Sequence, residues 1–185
     1  MRKTLLTLTP AALLLLAVSG GALAASNAQV TITGNVVAAT CDVSASTSTL
    51  DLGNHTPSEF TAVATPIASS TKQFTVGLNN CQTPVATGAT AGLIVNGATL
   101  GGNPTIFNTS GTNTGVMLSN AATPTVHIAA GQKVNLATAS STPLNAADFN
   151  GKSMTFNASL ASSSTLTAVN LGSVNAPITF QFAYN

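Results

Sequence analysis

The sequence predicts an all-β fold, an antiparallel sandwich of short strands. Three observations carry that prediction. Apolar residues recur at every second position in short runs, the period of a strand with one buried face. Pro, Gly, Asn, Ser and Thr fill the gaps between the runs, as turn chemistry requires. No amphipathic helical stretch separates the runs, which argues against a βαβ architecture, and spacings of roughly 8 to 20 residues suit a sandwich.

The chain begins with an export signal. Arg2 and Lys3 precede an apolar run at residues 13–18 and a small-x-small site at Ala22-Leu23-Ala24, which predicts a signal peptide over residues 1–24. The run is shorter than the roughly 18 to 20 residues that span a bilayer, so a soluble, exported product is expected, without membrane insertion. Val30, Ile32, Gly34 and Val36 then alternate with Gln29, Thr31, Thr33 and Asn35. Residues 25–36 are read as an N-terminal extension and residues 37–185 as one domain with a single core.

Within that domain, the apolar segment continues through residues 36–43, and residues 49–52 form a short alternating strand ended by Gly53-Asn54. Residues 54–67, with Pro57 and Pro66, form a connection with room for one helical turn. Phe74, Val76 and Leu78 share one face of the next strand. Further strands fall at residues 92–97, 115–118, 126–128, 134–136 and 154–160. Residues 83–90, 100–113, 120–125 and 137–148 are expected surface loops.

The last strand is the most informative. Ile178, Phe180, Phe182 and Tyr184 fall on one face, and Thr179, Gln181, Ala183 and Asn185 on the other. So apolar a strand needs a neighbour along each edge, because unpaired backbone groups at a sheet edge invite association. No later segment of the sequence supplies one. The alternating segment at Val30 to Val36 is the candidate, one molecule's first strand completing another molecule's last.

Without Arg2 and Lys3, three lysines stand against four carboxylates, a formal charge of −1. Basic residues this few and this scattered exclude nucleic acid and anionic membranes as expected partners. Cys41 and Cys81 are the only cysteines. In an exported chain an isolated pair is most simply a disulfide; a metal site would need two further ligands, and His55 and His127 stand in no ligand spacing. No Gly-x-Ser-x-Gly elbow or similar arrangement accompanies the Ser, His and Asp residues, so no enzyme activity, cofactor or metal is expected. His55 and His127 are read as surface and strand residues, and Asp148 and Lys152 as solvated residues flanking a turn at Asn150-Gly151.

The chain resembles the structural subunits, or pilins, of chaperone–usher fimbriae, among them the major subunits of type 1-like pili. The resemblance spans the chain after the signal. It rests on the arm Val30-Thr-Ile-Thr-Gly34-Asn-Val-Val-Ala-Ala-Thr-Cys41, the strand Lys72-Gln-Phe-Thr-Val-Gly-Leu-Asn-Asn-Cys81, and the tail, where Tyr184 is penultimate and Gly172 is fourteenth from Asn185. It implies an incomplete immunoglobulin-like sandwich lacking its last strand, completed by donor-strand complementation. A periplasmic chaperone would lend the strand, and an outer-membrane usher would exchange it for the arm of an identical or related subunit. Val30, Ile32, Gly34 and Val36 would then form the donor strand. Gly172, Ile178, Phe180, Phe182, Tyr184 and Asn185 would form the acceptor groove and the chaperone and usher motif. The expected product is a cell-surface fimbrial subunit supporting adhesion and biofilm through the fibre. A minor pilin or single-domain adhesin that binds a receptor through its loops is the alternative.

Overall fold

The computed structural model describes residues 40–109, 112–164 and 169–185, all of them in the compact unit Val36–Asn185. The expected signal peptide and the donor residues Val30, Ile32, Gly34 and Val36 lie outside the described residues. Among the described residues are ten strands. In chain order they are β1 (Asp42–Ala45), β2 (Lys72–Asn79), β3 (Thr90–Gly97), β4 (Thr99–Leu100), β5 (Asn103–Phe107), β6 (Thr114–Asn120), β7 (Thr123–His127), β8 (Lys133–Thr138), β9 (Ser153–Ser162) and β10 (Ile178–Tyr184).

They form two antiparallel sheets. One runs β1-β2-β9-β6-β5-β4, with β7 also paired to β6; the other runs β10-β3-β8. Inward side chains from both sheets make one core: Val76 and Leu78 of β2, Leu93 and Val95 of β3, Leu118 of β6 and Phe156 of β9 are buried together with Phe107 and Phe149. Each such side chain contributes about 1.5 to 3 kcal/mol by leaving water. The all-β sandwich is therefore present, and alternation in β2 and β10 places the expected residues inward.

Strand β9 is buried on both faces toward its C-terminal end. Strand β2 pairs with it only from Ser153 to Ala158. Beyond that point the connection before β2 takes over: Ala64 N donates to Ser162 O at 2.7 Å and Ile67 N to Leu160 O at 2.8 Å. Ser70, fully buried, accepts from Leu160 N at 2.8 Å and donates to Ile67 O at 2.7 Å through the same hydroxyl. Buried backbone groups past the end of a ladder need such partners. Cys41 and Cys81 form a disulfide, with Cα atoms 4.1 Å apart, across the outer end of the β1–β2 pair.

Several expectations change. Residues 49–52 form no strand; side-chain bonds from Thr47 Oγ1 to Thr49 O and from Gly53 N to Asp51 Oδ1 occupy the backbone locally instead. The loop expected at residues 100–113 contains the end of β4 and all of β5, whose Ile106 and Phe107 are fully buried. Pro104 inside that run hid it from pattern reading. Strand β7 begins at Thr123, inside the expected loop at 120–125. Asp148 is buried, not solvated: it accepts from Ser141 Oγ at 2.5 Å, Ser141 N at 3.2 Å and Asn145 N at 3.3 Å. The Ser141 hydroxyl leads the contacts that hold its carboxyl below the usual range. Lys152 is exposed as expected.

Candidate functional site: a groove beside the last strand

Strand β10 pairs with β3 through its whole length, from Ile178 opposite Gly97 to Tyr184 opposite Ala91. Among the described residues no strand is paired to its other edge. An open groove of about 920 Å³ lies beside the first part of β10, at Ile178 and Phe180. Its floor is apolar, with Phe74 of β2, Val116 and Leu118 of β6, and Ala158 and Leu160 of β9. Ile178 and Phe180 of β10 line one side. Leu50 and Leu52, from the segment between β1 and the turn at Pro57–Glu59, and residues 169–177 line the rest. Leu50 and Leu171 are exposed large apolar residues within this lining.

Phe180 ties β10 to the opposite sheet. Its ring centroid lies 5.2 Å from Phe156 and 5.7 Å from Phe74, and those two rings stack at 5.5 Å. Phe182 stands on the same face and packs on the core outside the groove lining. Tyr184 packs edge-on against Phe149 at 6.1 Å, and its hydroxyl accepts from Val85 N at 3.1 Å. Asn185 closes the ladder through reciprocal backbone bonds with Thr90 at 2.8 and 3.0 Å. Gly172 lines the groove at φ 146°, a conformation open to glycine and costly for other residues, with Thr112 Cγ2 3.4 Å from where a Cβ would stand. The C-terminal residues singled out from the sequence are thus split: Gly172, Ile178 and Phe180 border the groove, while Phe182, Tyr184 and Asn185 secure the strand.

The floor residues were not anticipated as a site. Phe74 carried a signal, since alternation places it on the inner face of β2. Val116, Ala158 and Leu160 come together only by strand pairing. His55 also lines the groove. Contrary to its reading as a surface residue, only a tenth of its side chain is exposed, and it bonds Glu59 Oε2 and Leu52 O, each at 2.9 Å. His127 is a strand residue as expected, and burial pushes its pKa down.

The groove suits an extended strand better than a small polar ligand. Among the described residues it offers an unpaired backbone edge along one side, an apolar floor, and only Asp51 and His55 as titratable lining residues. Among the described residues no cluster of three His, Cys, Asp or Glu could hold a metal ion, and no helix is long and apolar enough to cross a membrane.

No curated protein sequence matches the chain significantly. Among solved structures, it is similar to the crystal structure of the P pilus rod subunit PapA, with 21% identity and a TM-score of 0.54 over 85% of this chain and 99% of that one. A structure of a chaperone–usher pilus, described for rod uncoiling, shares 18% identity at a TM-score of 0.49, over 87% of this chain and 97% of that one. The profile described as fimbrial protein matches residues 30–185, and the chain belongs to that family, as an all-β subunit whose last strand borders an open groove.

Proposed function

We propose that this protein is a structural, non-enzymatic subunit of a chaperone–usher fimbria, polymerised by donor-strand exchange at the cell surface. The observation that carries this reading is the groove: among the described residues one edge of β10 is unpaired, beside an apolar floor, in a member of the fimbrial protein family. Strand addition uses both features, main-chain bonds for affinity and alternate pockets for side chains. Strand β10 has seven residues, and the alternating segment from Val30 to Val36 is equally long.

In this reading, Val30, Ile32 and Val36 of one subunit enter the groove of the next, and Gly34 passes where the floor is shallow. Each buried Val or Ile contributes about 1.5 to 3 kcal/mol, and each ladder bond about 1 kcal/mol before ordering costs. A periplasmic chaperone fills the groove first, and an outer-membrane usher catalyses the exchange. The signal over residues 1–24 accounts for periplasmic transit, and adhesion or biofilm depends on this subunit through the fibre.

The test adds a synthetic peptide of residues 25–36 to the full chain and follows peptide binding and thermal unfolding. Binding with a marked rise in melting temperature is expected, lost when Ile32 in the peptide is replaced by Asp. Equal binding of the Ile32→Asp peptide, or an unfolding transition indifferent to the wild-type peptide, would overturn the reading.

A further inference from the structure

His55 stands where the groove wall meets the turn at Pro57–Glu59. Both of its ring nitrogens face acceptors: Nδ1 lies 2.9 Å from Glu59 Oε2, and Nε2 lies 2.9 Å from the Leu52 carbonyl oxygen. A neutral imidazole carries one N–H, so only the doubly protonated ring donates to both. The Glu59 carboxylate has other partners, Thr56 N at 2.7 Å and Ser69 Oγ at 2.9 Å. These bonds hold the carboxylate in addition to the histidine. The ring therefore works as a clip between an anchored carboxylate and the backbone at Leu52. Leu52 in turn packs against both the main core and the Phe60, Ile67 and Leu160 cluster, and it lines the groove.

We propose that His55 is a positioning residue for the groove: its imidazolium fixes the wall at Leu52, and strand uptake depends on pH through that one ring. The inference rests on the groove being the seat of an incoming strand. The charged groups around the ring are Glu59, from the turn, and Lys72, at the start of β2, whose charge opposes the imidazolium. Asp51, in the wall itself, is engaged by Gly53 N at 2.9 Å.

The bond to Glu59, followed by that to the Leu52 carbonyl, raises the His55 pKa against burial and Lys72. The same bond, with help from Thr56 and Ser69, pulls Glu59 down to about 2. A raised histidine contributes fully below its ordinary value, and the contribution is lost as pH rises through the raised one. The neutral ring keeps its remaining N–H on the carboxylate, the stronger acceptor, and Leu52 is released.

The experiment measures the affinity of a labelled peptide of residues 25–36 for the full chain between about pH 5.5 and about pH 9, where histidine titrates. That peptide has no titratable side chain. Wild-type affinity is expected to fall several-fold as pH rises. In His55→Gln the profile is expected to be flat at the weaker level, and in Glu59→Gln its midpoint moves to lower pH. His127→Gln, which removes the other histidine, keeps the wild-type profile. A wild-type profile that is flat while the peptide binds, or one that survives His55→Gln or vanishes in His127→Gln, overturns the role of His55 and leaves the groove reading standing. Absence of peptide binding at every pH overturns the groove reading itself, and this inference with it.

Discussion

Replacing Phe180 by Ala separates the groove from the core beneath it. The ring is half-buried on β10, with centroids 5.2 Å from Phe156 and 5.7 Å from Phe74, and it borders the groove. A fully buried Phe→Ala change costs about 3 to 5 kcal/mol. Partial exposure reduces the transfer part, so the loss of stability in the unoccupied subunit is set at about 2 kcal/mol, including weakened aromatic pairing. A strand lying over the ring would bury the remainder. The loss in the peptide-bound protein is therefore about 1.4 kcal/mol greater, which appears as about tenfold weaker peptide binding. Phe156→Ala is the comparison: its ring is fully buried and does not line the groove. It should cost the full 3 to 5 kcal/mol or so in stability and little in affinity. Urea unfolding of the full chain with and without the peptide of residues 25–36 reads both quantities. Equal peptide affinity for wild type and Phe180→Ala would refute the claim that this ring supports an incoming strand.

Two further outcomes follow from the fold. Replacing Cys41 and Cys81 together by Ala removes a bridge across a sequence separation of 40 residues and should cost about 4 kcal/mol on the chain-entropy account, read as a lower urea midpoint; an unchanged midpoint would remove the bridge from the account of stability. The Asp148 carboxyl is held below its ordinary range, first by the Ser141 hydroxyl. Its contribution is present above the unfolded carboxylate value and lost as pH falls through the lowered folded one. Asp148→Asn should therefore be less stable than wild type at neutral pH, with the gap closing under acid in parallel urea titrations, and a gap independent of pH would refute the assignment.

Strands that alternate cleanly were legible because one face of each meets a core and the other meets water. Phe74, Val76 and Leu78 in β2 and Ile178 to Tyr184 in β10 took the faces their spacing predicted. The pattern failed where a local rule and the tertiary context disagreed. Pro104 and the neighbouring glycines concealed β5, which is held by pairing with β4 and β6. Residues 49–52 alternate, yet no ladder forms there; Thr49 O accepts from Thr47 Oγ1 and the Asp51 side chain accepts from Gly53 N instead. Asp148 read as a solvated turn residue because its partner Ser141 lies seven positions earlier, beyond the reach of periodicity.

The sequence by itself determined the fold class, the order of the apolar strands and the inward face of the last one, because period-2 alternation records which side chains leave water. Only the tertiary structure decided the groove. Leu52, Phe74, Leu118, Leu160 and Phe180 lie far apart in the chain, and the packing of two sheets brings them around one opening. It also decided which residues serve that opening and which brace it, with Phe180 bordering the groove and Tyr184 turned to Phe149 and Val85. The protonation demand on His55 has the same origin. It arises from two acceptors that the fold sets on opposite sides of one ring, and no spacing rule encodes it.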